Sequence, residues 1–276
     1  MSDLPPYEKR GYLNEDWRIF SISSNGLEAI DYHYHEFHKI VFIRSGQAGY
    51  SIEGHRYELK ANDVVLVPAG DVHRPEAKSG KTYDRIVLYI SPSMLGAMSD
   101  DTCRLDMCFS DEHVIRLSGL ALEEVTGTFA ELLKCENDTK FGSSILAKYL
   151  VCRLAVILTR AGQEHNAAVH GRANDKKIAE IIEYINSDLS RKMTVDTLAE
   201  HFFISKYHMM RRFKEETGST VHKYVTDKRL LQARSAIMSG ESAQNAAKLC
   251  GFGDYSSFLR AYKKLFGESP MKRNKE

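Results

Sequence analysis

Cysteine is scarce in this 276-residue chain, and its spacing forms no pattern. Cys103, Cys108, Cys135, Cys152 and Cys250 are five in number, with no C-x-x-C pair among them. A disulfide framework and a cysteine-held zinc both find little support in such spacing. Reduced thiols in a cytosolic protein are expected, with Cys250 serving as a small core residue. No apolar run approaches the roughly 20 residues of a membrane-spanning helix, so no membrane partner is expected. Met1 to Trp17 is polar, contains Pro5-Pro6 and lacks an apolar h-region, which argues against a secretory signal.

Net charge is also nearly absent, at +1 overall, but it is unevenly distributed. Residues 172–276 hold 20 Lys+Arg against 13 Asp+Glu, a net of +7. The remaining 18 basic and 24 acidic residues leave 1–171 at −6. A basic C-terminal third suits a polyanion, and the acidic remainder must do something else.

Hydrophobic residues make up 43% of the chain, enough for two cores. Residues 17–92 read as short strands. Trp17-Arg-Ile-Phe-Ser-Ile, Lys39-Ile-Val-Phe-Ile, Tyr50-Ser-Ile, Asp63-Val-Val-Leu-Val and Arg85-Ile-Val-Leu-Tyr-Ile are rich in β-branched and aromatic residues. Asn25-Gly26, Ser45-Gly46, Glu53-Gly54, Ala69-Gly70 and Ser79-Gly80 punctuate them. Strands without intervening helices predict an antiparallel barrel or sandwich.

Beyond residue 93 the period becomes helical. Leu120, Val125, Phe129, Leu132 and Leu133 mark one helix. Ile145, Leu146, Tyr149, Leu150, Leu154, Ile157 and Leu158 mark a second, separated from it by a polar break at 136–139. The second carries more apolar residues than one core-facing stripe needs, which predicts a symmetric helix-on-helix interface and a homodimer. Gly162 to Asn174 is polar and reads as a linker between domains at 1–165 and 172–276.

The C-terminal region then repeats itself. Val195, Leu198, Ala199 and Phe202 lie at i, i+3, i+4 and i+7, and Ala243, Ala246, Ala247 and Cys250 repeat the spacing 48 positions later (243 − 195). Thr194 and Ser242 suit N-caps. After each tight turn a basic helix follows, led by Ser205 or Asp254 and ending at Gly218 or Gly267. Met209 with Phe213, and Phe258 with Tyr262, lie one turn apart and should face inward. Thr220 to Ser239 reads as the helix joining the two units. A short helix, a sharp turn and a basic helix, twice over, fit the major groove of double-stranded DNA.

These last hundred residues resemble the DNA-binding domain of the AraC/XylS family of transcriptional regulators. The resemblance rests on Thr194-Val-Asp-Thr-Leu-Ala, Phe213-Lys-Glu-Glu-Thr-Gly218, Tyr224, Arg229-Leu230, Ala233, and Gly251-Phe-Gly-Asp-Tyr-Ser-Ser-Phe-Leu-Arg-Ala-Tyr-Lys-Lys264, running on to Gly267 and Pro270. It departs mildly in Tyr262, Ala243 and Ala246. The family pattern implies base contacts at Tyr207, Met210 and Arg211, and at the outward residues Tyr255, Ser256 and Arg260 of the second unit. Lys206, Arg212, Lys214, Lys263 and Lys264 are the expected phosphate contacts.

The strand-rich part resembles a cupin, the small jelly roll often fused to this domain. The implied architecture is α+β: a cupin-like barrel with two following helices, then an all-α domain holding two helix-turn-helix units. Metal-binding cupins carry two histidines, a glutamate and a further histidine, which map here to His33, His35, Lys39 and His73. A lysine replaces the carboxylate ligand, so no metal and no cofactor are expected. His33, His35, Lys39 and His73 are instead expected to bind a small sugar-like or carboxylate-like effector directly. His38 and His55 should face outward.

The resemblance therefore implies a cytoplasmic, DNA-binding transcriptional regulator, tending to activation, with RNA polymerase as a further partner and no enzymatic activity. The competing reading is a metal-dependent cupin enzyme with an attached helical domain, which tightly bound Fe, Mn or Zn would favour.

Overall fold

A computed structural model describes residues 8–9, 13–25, 30–77, 82–110, 112–164 and 167–270. The turns at Gly26 and Ser79-Gly80, the Pro5-Pro6 stretch and residue 165 lie outside them. By contacts the chain forms two compact units, one spanning Glu8–Arg172 and the other from Ala173 onward.

The first unit contains strands β1 (Glu8–Lys9), β2 (Trp17–Asn25), β3 (His33–Tyr34), β4 (His38–Ser45), β5 (Gln47–Ile52), β6 (His55–Lys60), β7 (Asp63–Val67), β8 (His73–Ala77) and β9 (Thr82–Ile90). Helix α1 (Pro92–Met98), a 3-10 turn (Leu105–Phe109), strand β10 (Val114–Arg116) and helices α2 (Gly119–Cys135) and α3 (Ser143–Gln163) follow, and β11 (Arg172–Ala173) comes last. One sheet runs β1-β3-β8-β5-β6-β11 and the other β10-β7-β4-β9-β2.

Alternation along β4 and β9 divides the second sheet between two environments. Ile40, Phe42, Ile86, Leu88 and Ile90 pack on one side against Val125, Phe129, Leu132, Leu150 and Leu154 of α2 and α3. Val41, Ile43 and Val87 pack on the other against Tyr50, Ile52, Tyr57 and Leu59 of the first sheet, forming the barrel interior. The expected antiparallel barrel with two following helices is therefore present, with the helices closing its outer face.

Three expectations need correction. Residues 167–172 are not a free linker: Arg116 N–H donates to the Ala167 carbonyl at 2.7 Å, and Val169 N–H to Val114 at 2.9 Å. Leu120, read as part of the first helix's apolar stripe, is exposed, and Ile145 (75%), Leu146 and Tyr149 are the apolar residues that α3 carries beyond its core-facing stripe. Helical period locates an apolar stripe, but it cannot say whether that stripe is covered within the chain. His38 does point away from the barrel interior, but it is not solvated. Its ring stacks on Phe109 at 4.4 Å, its Nδ1 accepts from the Ala69 N–H at 3.2 Å, and burial pushes its pKa down to about 4.

The second unit opens with α4 (Lys176–Ser187), which buries Ile178, Ile181, Ile182 and Ile185. Helices α5 (Val195–His201) and α6 (Lys206–Thr217) form the first helix-turn-helix, α7 (Val221–Met238) the connector, and α8 (Ala243–Leu249) with α9 (Tyr255–Phe266) the second. The expected caps form. Thr194 and Thr197 make a reciprocal capping box, Ser205 and Ser242 each accept one backbone N–H, and Asp254 accepts two. Gly218 and Gly267 end α6 and α9 in the left-handed conformation. Met209, Phe213, Phe258 and Tyr262 are all buried.

Candidate functional site

The barrel collects polar side chains at one end of its interior. His33 of β3 is directly opposite His73 of β8, and Lys39, one residue into β4, shares the inward face with Val41 and Ile43. The ring centroids of His33, His35 and His73 lie 4.3 to 5.0 Å apart, and their possible ligand atoms all fall within 4.8 Å of one another. His33 Nδ1 is 2.8 Å from the Asp31 carbonyl and His73 Nδ1 2.9 Å from that of Asp71. A carbonyl only accepts, so each Nδ1 carries the proton, leaving Nε2 as an acceptor facing the cluster.

Burial first, then the charges of Lys39 and of the other two histidines, pushes the pKa of His73 well below 6.5, so its imidazole is neutral. Lys39, 8% exposed, has its pKa lowered to about 7 by burial and then by Arg85. Its Nζ stands 5.9 Å from the centre of the Tyr50 ring. Among the described residues no carboxylate pairs with it. The Tyr50 hydroxyl and His73 Nε2 are buried without a hydrogen-bond partner among the described residues. A buried polar atom left this way forgoes the hydrogen bonds it makes in water, so a ligand that supplies them is favoured.

The structure therefore brings His33, His35, Lys39 and His73 together, as expected. It adds Tyr50 and Arg85, which sequence reading missed. The signal was present: in the strand read from Arg85, odd positions share the face of Lys39's neighbours, and an arginine there is out of place. Three histidines meet the protein-ligand count of an open zinc site. Lys39, where metal-binding cupins carry a carboxylate, contributes positive charge and, while protonated, no lone pair.

The second unit displays its chemistry on the surface. On α6, Tyr207 is 77% exposed, Met210 and Arg211 are exposed, and Arg211 lies 3.7 Å from Glu215 one turn on. On α9, Ser256 and Arg260 are exposed, and Arg260 donates to the Ser257 hydroxyl at 3.0 Å. Tyr255 departs from the outward expectation: it is half-buried, with its ring stacked 5.8 Å from Phe258. Lys214, Lys263 and Lys264 are exposed. Lys206 and Arg212 are already engaged, with Asp196 at 2.7 Å and Asp175 at 2.9 Å.

The two turns differ at one matched position. Gly251 (φ +80°) has backbone on its Cβ side, where a methyl would meet the Ser190 and Leu189 carbonyls at 2.8 and 2.9 Å. Arg229 fixes that backbone by donating to the carbonyls of Leu189 and Arg191. The equivalent residue of the first unit is Phe203, also at positive φ (+50°).

Comparison with known proteins assigns both units. A family model of an AraC-like ligand-binding domain matches residues 23–155, and one of a helix-turn-helix domain matches 198–275. Among curated relatives, the transcriptional activator RhaS of Enterobacter sp. (strain 638) is 26% identical over 243 residues, covering 86% of this chain and 85% of its own. RhaS of Yersinia pseudotuberculosis is 26% identical over 245 residues, covering 86% of each. A crystal structure of fatty-acid-bound ToxT from Vibrio cholerae aligns over 95% of each chain at 14% identity, with a TM-score of 0.41. Two family models in the order their architecture requires, with relatives spanning both, lead to one conclusion: the chain belongs to the AraC/XylS family of transcriptional regulators.

Proposed function

We propose that this protein is a cytoplasmic transcriptional activator whose barrel binds a small organic effector and whose paired helix-turn-helix units read two neighbouring major-groove segments. The observation that carries the reading is the matched pair Arg211 and Arg260, exposed at equivalent places of two capped recognition helices. Arginine is the natural bidentate partner of guanine. Lys214, Lys263 and Lys264 supply phosphate contacts. Activation is the role carried by the curated relatives' names.

The effector site is His33, His35, Lys39 and His73, supported by a buried ammonium with no carboxylate partner among the described residues. A carboxylate, a phosphate or a sugar hydroxyl satisfies that group, and neutral imidazoles accept or donate as required. The exposed apolar residues Ile145, Leu146 and Tyr149 of α3 form the homodimer interface, and RNA polymerase is the downstream partner.

The test begins with duplexes selected from a random library by the full-length protein. Enrichment of one bipartite site, lost in the double variant Arg211→Ala/Arg260→Ala, is the expected result. Retention of full sequence discrimination by that variant overturns the assignment. Near-stoichiometric transition metal that disappears with His73→Ala overturns the metal-free effector site.

A further inference from the structure

Charge inside the first unit does not balance. Among its described residues the buried carboxylates and cations are Glu53, Asp63 and Lys39. Asp63 is paired with Arg116 at 2.7 Å, and Glu53 accepts the Val72 N–H at 2.7 Å. Lys39 has no such partner among the described residues, and Arg85 adds positive potential to it. A buried charge left uncompensated is costly, so this ammonium favours an occupant that brings one negative charge.

The neighbouring groups ask for the opposite polarity. The Nδ1–H of His73 points at the Asp71 carbonyl, so Nε2 is an acceptor, and it is buried with no partner among the described residues. The Tyr50 hydroxyl is buried in the same way. The His73 ring and the Lys39 Nζ each lie 5.9 Å from the centre of the Tyr50 ring, so one small molecule reaches all three. A carboxylate only accepts and leaves His73 Nε2 unmet, whereas an O–H satisfies it. His33 and His35 stand beside His73, with possible ligand atoms within 4.8 Å of one another, which gives more than one hydroxyl a polar setting. A phosphate carries a charge of about −1.5 to −2, more than one ammonium balances. A neutral sugar leaves Lys39 unmet, and an unsubstituted carboxylate leaves His73 unmet. Buried polar groups left unpaired are what make a site reject a near-analogue strongly.

We propose that the barrel's effector is a polyhydroxy acid of sugar size, with its carboxylate on Lys39 and a hydroxyl donating to His73 Nε2. Tyr50, between the two, is a specificity-determining residue. The inference rests on the effector-site reading above and narrows it, because charge and hydroxyl must come in one molecule.

The test follows Tm of the full-length protein with D-gluconate, D-galactonate, D-glucuronate and D-galacturonate. D-glucose, D-galactose, β-glycerophosphate and hexanoate at the same concentrations are the comparators. A ligand bound only by the folded barrel raises Tm according to its concentration relative to its Kd. At least one polyhydroxy acid should raise Tm by several degrees and bind more than about tenfold tighter than every comparator. Lys39→Met should remove that shift, and Tyr50→Phe, which keeps the ring, should weaken binding about tenfold. A full shift in either variant overturns the inference, as does a panel in which no polyhydroxy acid shifts Tm. A comparator that binds as tightly as the acids also overturns it. If Lys39→Met abolishes that comparator's binding, the effector-site reading survives and only the polyhydroxy acid falls. A shift that requires a transition metal and vanishes with EDTA overturns both.

Discussion

Lys39 and Arg211 are both cations assigned to ligand binding, yet one is 8% exposed inside a barrel and the other stands on an open helix surface. The barrel removes its polar groups from water during folding and leaves the Tyr50 hydroxyl and His73 Nε2 without a hydrogen-bond partner among the described residues, so the desolvation cost is present before any ligand arrives. The recognition helices leave theirs solvated, and the cost arises only on docking. Substitutions in the barrel should therefore change stability and response together. Substitutions on the helices should change DNA binding alone.

The sharpest test of this contrast is the pH dependence of Lys39. Its pKa is about 7 when folded, against about 10.5 for a solvated lysine, so between these values the unfolded chain holds a proton that the folded one has lost. Raising pH from about 7 towards 10.5 stabilises the fold, and lowering it back through that window removes the gain, with no further change from this group well below 7. Lys39→Met should eliminate up to about 1.4 kcal/mol of stabilisation per pH unit, on the order of 5 kcal/mol across the window. It should also make the protein more stable than wild type at pH 7 and abolish the effector response. Parallel stability profiles for the two proteins would break the comparison.

Gly251→Ala examines the opposite region. A Cβ at φ +80°, 2.9 Å from the Leu189 carbonyl that Arg229 holds, should destabilise the second unit by about 2–4 kcal/mol. Denaturant unfolding followed in that unit checks this, and a change below about 0.5 kcal/mol would show that the turn has room to relax.

Arg211→Ala and Arg260→Ala should each weaken the preferred DNA site by about 1–3 kcal/mol and relax base choice there, with Tm unmoved. A drop in Tm of several degrees would place these arginines with the buried groups. Fragment 1–172 should exceed fragment 1–165 in stability by about 1–2 kcal/mol, since only the longer one keeps the backbone bonds of Ala167 and Val169. Equal midpoints would return 167–172 to the status of a linker. The smallest effect belongs to Lys263→Ala, which should weaken all DNA sequences alike and lower the salt slope by about one. Sequence-selective loss would instead make Lys263 a base reader.

What the sequence revealed followed the range of the interactions involved. Caps at Thr194, Ser205, Ser242 and Asp254, and the inward pairs Met209/Phe213 and Phe258/Tyr262, depend on neighbours within one or two turns, so period alone finds them. Strands β3, β6 and β8 were missed as strands because His33–Tyr34, His55–Lys60 and His73–Ala77 lack a clear apolar alternation, and β8 contains Pro75. Their pairing is imposed by distant strands. Helix α1 was also missed, although Ser91-Pro92 supplied a cap and a first-turn proline. The burial of His38 depends on Phe109, some seventy residues on, which no local pattern discloses. In the site, the odd-residue face of β9 made Arg85 findable, while the lost hydrogen bond of Tyr50 required the assembled interior.

Because residues 167–172 lie along the barrel, the tether to the DNA-binding unit has almost no slack. Only Asn174 separates β11 from Asp175, the N-cap of α4. A single free residue spans roughly 5–6 Å and absorbs little displacement. The tether begins beside β10, which pairs with β7, and β7 pairs with β4, where Lys39 resides. A few glycines inserted after Asn174 would lengthen this connection while leaving both ends as they are.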